Sequence, residues 1–470
     1  MRGSLGISLV LGLGLTLAAV APVAAQDAEA LRKELEQMRK QFEDVQRQYQ
    51  KSIDSLSDRL QRLEARPEAV ATPPVAAPAP AAVALQAPPP PSSAPSAMDL
   101  LRRREPFALY GGRGTGQLLF DMGIAGDFVA NFASRRVERA GVGTFAGREN
   151  RFFPREIELN LFGQIDPYAR AEVRIETGEE AAGEELTVHL AEANLTLLTL
   201  PWGTQVKMGQ MRNRFGLLNQ IHEHDLPQTD RPAVYRAFFG EEGLVERGVE
   251  MTWVPDLPFY LESLVGVFNG DNEVAFGRGR LRDPLVTARL RTFFELGDTG
   301  GIQLGASLAT GLTAGEFRQT LVGFDAKYKY RPEGWLHPLL TVAGEGIWSR
   351  RKAVQSVEVV DEEGTATLVD RKLTLDRFGW YVYGEVQPFR RWAGGVRYDN
   401  TELLSEPGRE WAVEPYLTFI PSDFLRFRLG YKRTNRSDSH PLAVLLGRRS
   451  FDEILLQATF ILGAHPAHPF

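Results

Sequence analysis

The densest run of chemistry-bearing side chains lies between residues 212 and 243. It opens with Arg212-Asn213-Arg214-Phe215-Gly216, passes through His222-Glu223-His224-Asp225-Leu226-Pro227 and reaches Asp230-Arg231-Pro232. His222, His224 and Asp225 offer imidazole and carboxylate groups, donor types that bind zinc. Alternate residues of a loop need not converge, and no third histidine is near, so the sequence assigns neither a metal nor a cofactor. The competing reading is a hydrogen-bonded loop in which Arg212, Arg214, His222, His224, Asp225, Asp230 and Arg231 narrow a passage. The two imidazoles would then titrate near their ordinary pH of ~6.5. No serine-nucleophile motif, phosphate-cradling glycine loop or metalloprotease helix motif is present, so an enzyme is not expected.

What must position this segment is read from the alternation around it. From about Gln117 to the end, apolar and polar residues alternate with period two, the pattern of strands with two unlike faces. Phe120, Met122, Ile124, Phe128 and Phe132 fall on one face of the first run, and Asp121, Asp127 and Asn131 on the other. Sixteen such runs can be read. Seven tight turns separate them at Asp166-Pro167, 200–204, 254–258, 297–301, 331–335, 387–391 and 420–423. Eight longer segments alternate with these, near 134–152, 178–185, 212–243, 269–283, 311–319, 349–372, 401–410 and 436–450. Short turns on one side and long polar loops on the other predict a sixteen-stranded antiparallel transmembrane β-barrel with both ends on the short-turn, periplasmic side. Trp202, Trp253, Trp335 and Trp392 near short turns, with Trp348 and Trp411 at loop-side ends, suit the aromatic girdles of such a barrel.

The polar face of each run then lines the lumen. Arg170, Glu172, Arg174, Arg289, Arg291, Lys327, Lys329, Arg397, Arg426 and Arg428 are the pore-lining candidates, with Glu156, Glu158, Glu192, Asp325 and Glu345 among the inward acids. Charges are costly against lipid and tolerated against water, so their phase favours a channel over a filled core. Acidic positions gather on early strands and much of the basic set on later ones. The field is therefore expected to run across the pore.

The N-terminal quarter is different. Residues 1–25 read as a secretory signal, with Arg2, an apolar stretch from Leu5 to Val20 and Val23-Ala24-Ala25 before the cleavage point. Within 26–66, Leu35, Phe42, Tyr49, Leu56 and Leu63 recur every seven residues, the seam of a periplasmic coiled coil. Residues 67–106 form a Pro/Ala-rich linker containing Pro88-Pro89-Pro90-Pro91, and 107–470 is the barrel domain. The chain has no cysteine, which excludes disulfide and thiolate-metal scaffolds. The balance of 54 basic against 60 acidic residues hides no basic domain, so nucleic acid is not an expected partner.

Arg155-Glu156-Ile157-Glu158-Leu159, the run from Tyr168 to Ile175, Leu190-Ala191-Glu192-Ala193-Asn194-Leu195 and the run from Val206-Lys207-Met208-Gly209-Gln210 to Phe215-Gly216 resemble the phosphate-selective porin O and P family. The resemblance covers mainly 117–270, and the His-Glu-His-Asp-Leu-Pro stretch looks like a subgroup labelled zinc-regulated outer-membrane receptors. It implies a homotrimeric porin in outer-membrane lipid with an infolded third loop, passing small hydrophilic solutes or ions. The chain departs from a phosphate channel in having no lysine between 212 and 243. A metal- or anion-selective channel is one alternative. An envelope tether, its coiled coil reaching peptidoglycan, is another.

The heptad seam yields a direct test. Replacing Leu35, Phe42 and Leu56 together with Asp should place like charges in the seam and weaken periplasmic self-association. Analytical ultracentrifugation of a 27–66 peptide reads this, and a parent peptide that stays monomeric at high concentration would remove the coiled coil.

Overall fold

The computed structural model describes residues 119–464, except 180–181, 184–185, 335 and 361–365. The signal, the coiled coil, the linker and Trp335 lie outside the described residues. Sixteen strands form one closed antiparallel barrel, each bonded to its sequence neighbours and the first to the last. They are β1 (Leu119–Ala133), β2 (Arg151–Asp166), β3 (Ala169–Gly178), β4 (Thr187–Leu200), β5 (Thr204–Arg212), β6 (Val245–Trp253), β7 (Tyr260–Phe268) and β8 (Leu285–Leu296). The second half comprises β9 (Gly300–Leu312), β10 (Arg318–Tyr330), β11 (Leu339–Val360), β12 (Ala366–Phe389), β13 (Trp392–Glu402), β14 (Arg409–Ser422), β15 (Leu425–Arg436) and β16 (Ser450–Gly463). Among the described residues, three short α-helices sit in long loops: α1 (Arg135–Ala140), α2 (Ala233–Phe239) and α3 (Pro441–Leu446).

Alternation sorts the side chains between two surroundings. On β8, Leu290 and Phe294 are exposed on the outer surface, whereas Arg289 is buried inside on Asp325 and Arg291 points inward to Glu262, 2.6 Å away. On β10, Phe324 is 65% exposed outward while its neighbour Asp325 is buried inward. Met251, Val265, Val342, Val382, Leu417, Leu429 and Leu456 continue the outer apolar surface around the barrel. Trp202, Trp253 and Trp392 are exposed at the short-turn ends. An apolar belt of this kind is stable only against another apolar medium.

Two boundaries differ from the sequence reading. The polar loop expected at 349–372 is strand for most of its length, because β11 and β12 keep pairing as far as Val360↔Ala366. The extension is rich in β-branched residues, Val354, Val357, Val359 and Val360, which suit a pleated backbone. At ~3.3 Å per residue β11 runs roughly 70 Å, far beyond an apolar band of roughly 25 Å, so this hairpin projects past the rim. Arg212, expected to open the third loop, instead ends β5, paired with Val245.

Phe324 offers a test of the outer face. Phe324→Arg near the middle of β10 should destabilise the barrel by about 2–4 kcal/mol in reversible urea unfolding from lipid vesicles, whereas the same change at a lumen position should cost far less. Equal tolerance at Phe324 would mean that this face does not meet hydrocarbon.

Candidate functional site in the barrel lumen

The segment from Asn213 to Leu244 folds into the barrel, and most of its residues are buried. One half of it is apolar. Phe215, Leu217 and Leu218, with Val234, Tyr235, Phe238 and Phe239 of α2, pack on inward residues of β7 to β12: Phe268, Leu285, Ala309, Leu321, Ile347 and Tyr381. Burial of each large side chain contributes about 1.5–3 kcal/mol, so this contact holds the loop as a small protein core would. At its centre Glu345 accepts hydrogen bonds from the backbone N–H of Leu217 (3.1 Å) and the hydroxyls of Tyr235 (2.6 Å) and Tyr381 (3.3 Å). Gly216 has φ 64°, and a Cβ there would collide with the Glu345 carboxylate. Only glycine allows this approach.

Strict alternation predicts a polar inner face, and these wall positions depart from it. The overlooked signal is apolarity on both faces, as in Leu264-Val265-Gly266-Val267-Phe268 and Tyr381-Val382-Tyr383. A strand with lipid outside and water inside has no use for an inward Phe268, and continuous apolar runs mark burial on both sides.

The other half, from Ile221 to Arg231, is polar and crosses to the opposite wall. Asp230 forms ion pairs with Arg397 and Lys432, the latter at 2.6 Å, and Arg397 also binds Asp399 and Glu414, each at 2.9 Å. Arg428 donates to the Leu226 carbonyl at 3.2 Å, and Arg426 to the His224 carbonyl. Arg155 donates to the carbonyls of Glu223 and Thr229, while Arg231 and Arg212 bind the Glu223 carboxylate at 2.6 and 3.1 Å. Thus Arg397, Arg428 and Arg289, expected to line an open pore, are almost wholly buried. For Arg397 and Arg428 the physical cause is that loop carbonyls and Asp230 leave water when the loop enters and these arginines supply the replacement partners, whereas Arg289 is buried against Ser307 and Asp325 of the neighbouring strands. Arg170, Glu172, Arg174, Arg291, Lys327, Lys329 and Arg426 keep part of their surface accessible. Arg214 turns to Glu250 (2.6 Å) on β6.

The histidines meet separate groups of acids. His222 Nδ1 lies 2.6 Å from Glu158 and 2.9 Å from Glu176, and its Nε2 is 2.9 Å from Glu192. His224 faces Glu156 through Nδ1 (3.1 Å) and Asp225 through Nε2 (2.9 Å), and its N–H donates to Glu156 at 2.9 Å. The two rings are 6.0 Å apart, so His222, His224 and Asp225 do not converge as one ligand set. Burial alone would lower both imidazole pKa values, but Glu158 holds His222 well above its ordinary value, and Glu156 with Asp225 holds His224 at about 10. Titration between pH 5 and 8 is therefore not the behaviour of these rings. Beside them a cavity of about 490 Å³ is lined by Arg148, Arg155, Arg236, Glu156, Glu176 and Glu242, among others.

No family model matches the chain. An uncharacterized protein of Aquifex aeolicus (strain VF5) is 30% identical over 352 residues, which span 67% of this chain and 69% of that one. Among solved structures, the anion-selective porin from Comamonas acidovorans has 8% identity over 73% of this chain and 98% of its own, with a TM-score of 0.45. The outer membrane channel DcaP of Acinetobacter baumannii has 11% identity over 76% and 100%, with a TM-score of 0.46. Pseudomonas putida OprB has 10% identity over 73% and 94%, also with a TM-score of 0.46.

The loop's charges define a pH window for its anchoring. His224, raised from 6.5 to about 10, contributes stabilisation that is complete below about pH 6.5 and is lost as pH climbs toward 10. For Glu223, burial raises the pKa but Arg212 and Arg231 outweigh it and lower it from 4.5 to about 2, so its contribution is complete above about pH 4.5 and is lost as pH falls toward 2. Amides 217–231 should exchange hydrogen most slowly, after correction for intrinsic rates, between about pH 4.5 and 6.5. His224→Gln should shrink the alkaline decline to the part that His222 supplies, and an unchanged profile in that variant would show that His224 does not anchor the loop.

Proposed function

We propose that this chain, which belongs to one family with the Aquifex aeolicus protein, forms an outer-membrane channel for small hydrophilic solutes or ions, constricted by the loop 213–244. The observation that carries this reading is that charged side chains at the wall keep water contact in the same lumen that the loop narrows. Arg170, Glu172, Lys327 and Lys329 retain exposure inside a sixteen-strand tube, a width that side chains alone do not fill. Arg174 and Glu172, 2.6 Å apart on β3, add a charged pair to the same lining.

The wall is acidic on β2 to β4, with Glu156, Glu158, Glu176 and Glu192, and basic on β15, with Arg426, Arg428 and Lys432. A solute entering between them meets a transverse field and is selected by charge distribution and dipole. With no lysine on the loop and a lumen of both signs, phosphate selectivity is not part of this reading. The same reading includes a homotrimer in outer-membrane lipid, with the N-terminal coiled coil in the periplasm near peptidoglycan. The alternative is an envelope tether, for which deletion of 27–97 should detach the envelope while leaving permeability unchanged.

Conductance decides between them. The purified protein in planar bilayers should give discrete, weakly selective current steps. Asp230→Ala strips the shared partner from Arg397 and Lys432, a loss of about 3–5 kcal/mol for a buried pair. The freed loop should raise unitary current severalfold and add open-channel noise. A folded barrel without current steps in either protein would eliminate the channel.

A further inference from the structure

We propose that Glu156, Glu158, Glu176 and the Nδ1 atom of His222 form a binding site for a zinc-class divalent cation that clasps the loop to β2 and β3. The four side chains are buried, and one ligand atom from each lies within 4.8 Å of all the others. From Nδ1 the carboxylate oxygens are 2.6 Å (Glu158), 2.9 Å (Glu176) and 3.8 Å (Glu156) away. A tetrahedral zinc with bonds of ~2.0–2.1 Å separates its ligands by about 3.3 Å, so these atoms already stand near the spacing of a coordination shell.

Two further observations point to a cation rather than to acids gathered by chance. First, two carboxylates face one ring nitrogen, which carries a single proton at most. The Glu158 side chain is fully buried and its Oε2 makes no hydrogen bond, although it is the oxygen nearest Nδ1. Second, the opposite ring nitrogen lies 2.9 Å from Glu192 Oε1. A proton on Nε2 is satisfied there, so that once the Nδ1 proton leaves, the Nδ1 lone pair is directed at an ion held between Glu158 and Glu176. Carboxylate, imidazole and metal in line is the usual outer-shell arrangement for a ligating histidine.

The surroundings complete the site. Asn160 donates to the other oxygen of Glu158, and His224 donates its backbone N–H to Glu156, which orients both carboxylates. Arg174 lies 3.7 Å from Glu158 and Arg212 lies 3.8 Å from Glu176, offsetting the negative charge that three carboxylates leave around a divalent ion. Glu156 and Glu176 also line the cavity of about 490 Å³, which supplies a route of entry. The nitrogen donor and short ligand separations favour zinc over calcium or magnesium, which take oxygen ligands in larger or hydrated shells. On entry the ion replaces a proton of the His222 imidazolium, so binding releases H⁺ to solvent.

The test uses the full-length protein in detergent, checked for a folded barrel by its heat-modifiable electrophoretic mobility, and needs no conductance. Calorimetry with zinc chloride should give one ion per chain and a buffer-dependent proton release. Cobalt chloride should give the intense visible absorption of a four-coordinate ion. Glu158→Gln and His222→Gln should each weaken binding at least 10-fold, while His440→Ala should leave it unchanged, since His440 caps α3 and belongs to no part of this cluster. Millimolar calcium should not displace zinc. Absence of binding, equal competition by calcium, or loss of binding with His440→Ala but not with His222→Gln would each overturn the site.

Discussion

In hydrocarbon, each backbone N–H and C=O must find its partner within the protein, and a sheet achieves this only by closing on itself. Here closure rests on β1 meeting β16 in register from Gly123↔Gly463 to Ala133↔Glu453. At its short-turn end the junction is tight: a Cβ on Gly463 would strike the Met122 carbonyl, and one on Gly123 the Ala464 carbonyl. Once that seam is made, the strands have no free edge, and the outer apolar residues and inner charged ones take their places by alternation alone.

Closure at sixteen strands creates a second problem, since the tube is too wide for its own side chains to fill. The loop 213–244 resolves it asymmetrically. Along β7 to β12 it is held by non-directional apolar burial around Glu345, Tyr235 and Tyr381. Toward β2 to β4 and β13 to β15 it is held by charge, through the Asp230 pairs on one side and the His222 and His224 clusters on the other. The apolar side fixes where the loop sits. The charged side makes its position responsive to pH and ionic conditions, because buried ion pairs fail when one partner changes protonation.

That division also explains why so many wall charges serve the loop. Arg397 and Arg428 satisfy groups that enter the lumen with the loop, whereas Lys327 and Lys329, on β10 near its short-turn end, are partly accessible.

The strand count, the turn positions and the inward or outward sense of residues such as Leu290 and Arg291 were legible in the sequence, because side chains alternate with a period of two and lipid rejects charge at each strand. The seven short turns were legible for a similar local reason, since Pro, Gly and Asp set turn geometry within a few residues. Other features were not. The continuation of β11 and β12 was obscured by the polar residues interspersed through 349–372. The apolar seat for Phe215 and Phe239 showed only as strands apolar on both faces. The gathering of Glu156, Glu158, Glu176 and Glu192 around His222 joins three strands to a loop residue 30 to 66 positions away. Such contacts are decided by which parts of the wall the infolded loop reaches, a long-range packing choice that local periodicity does not encode.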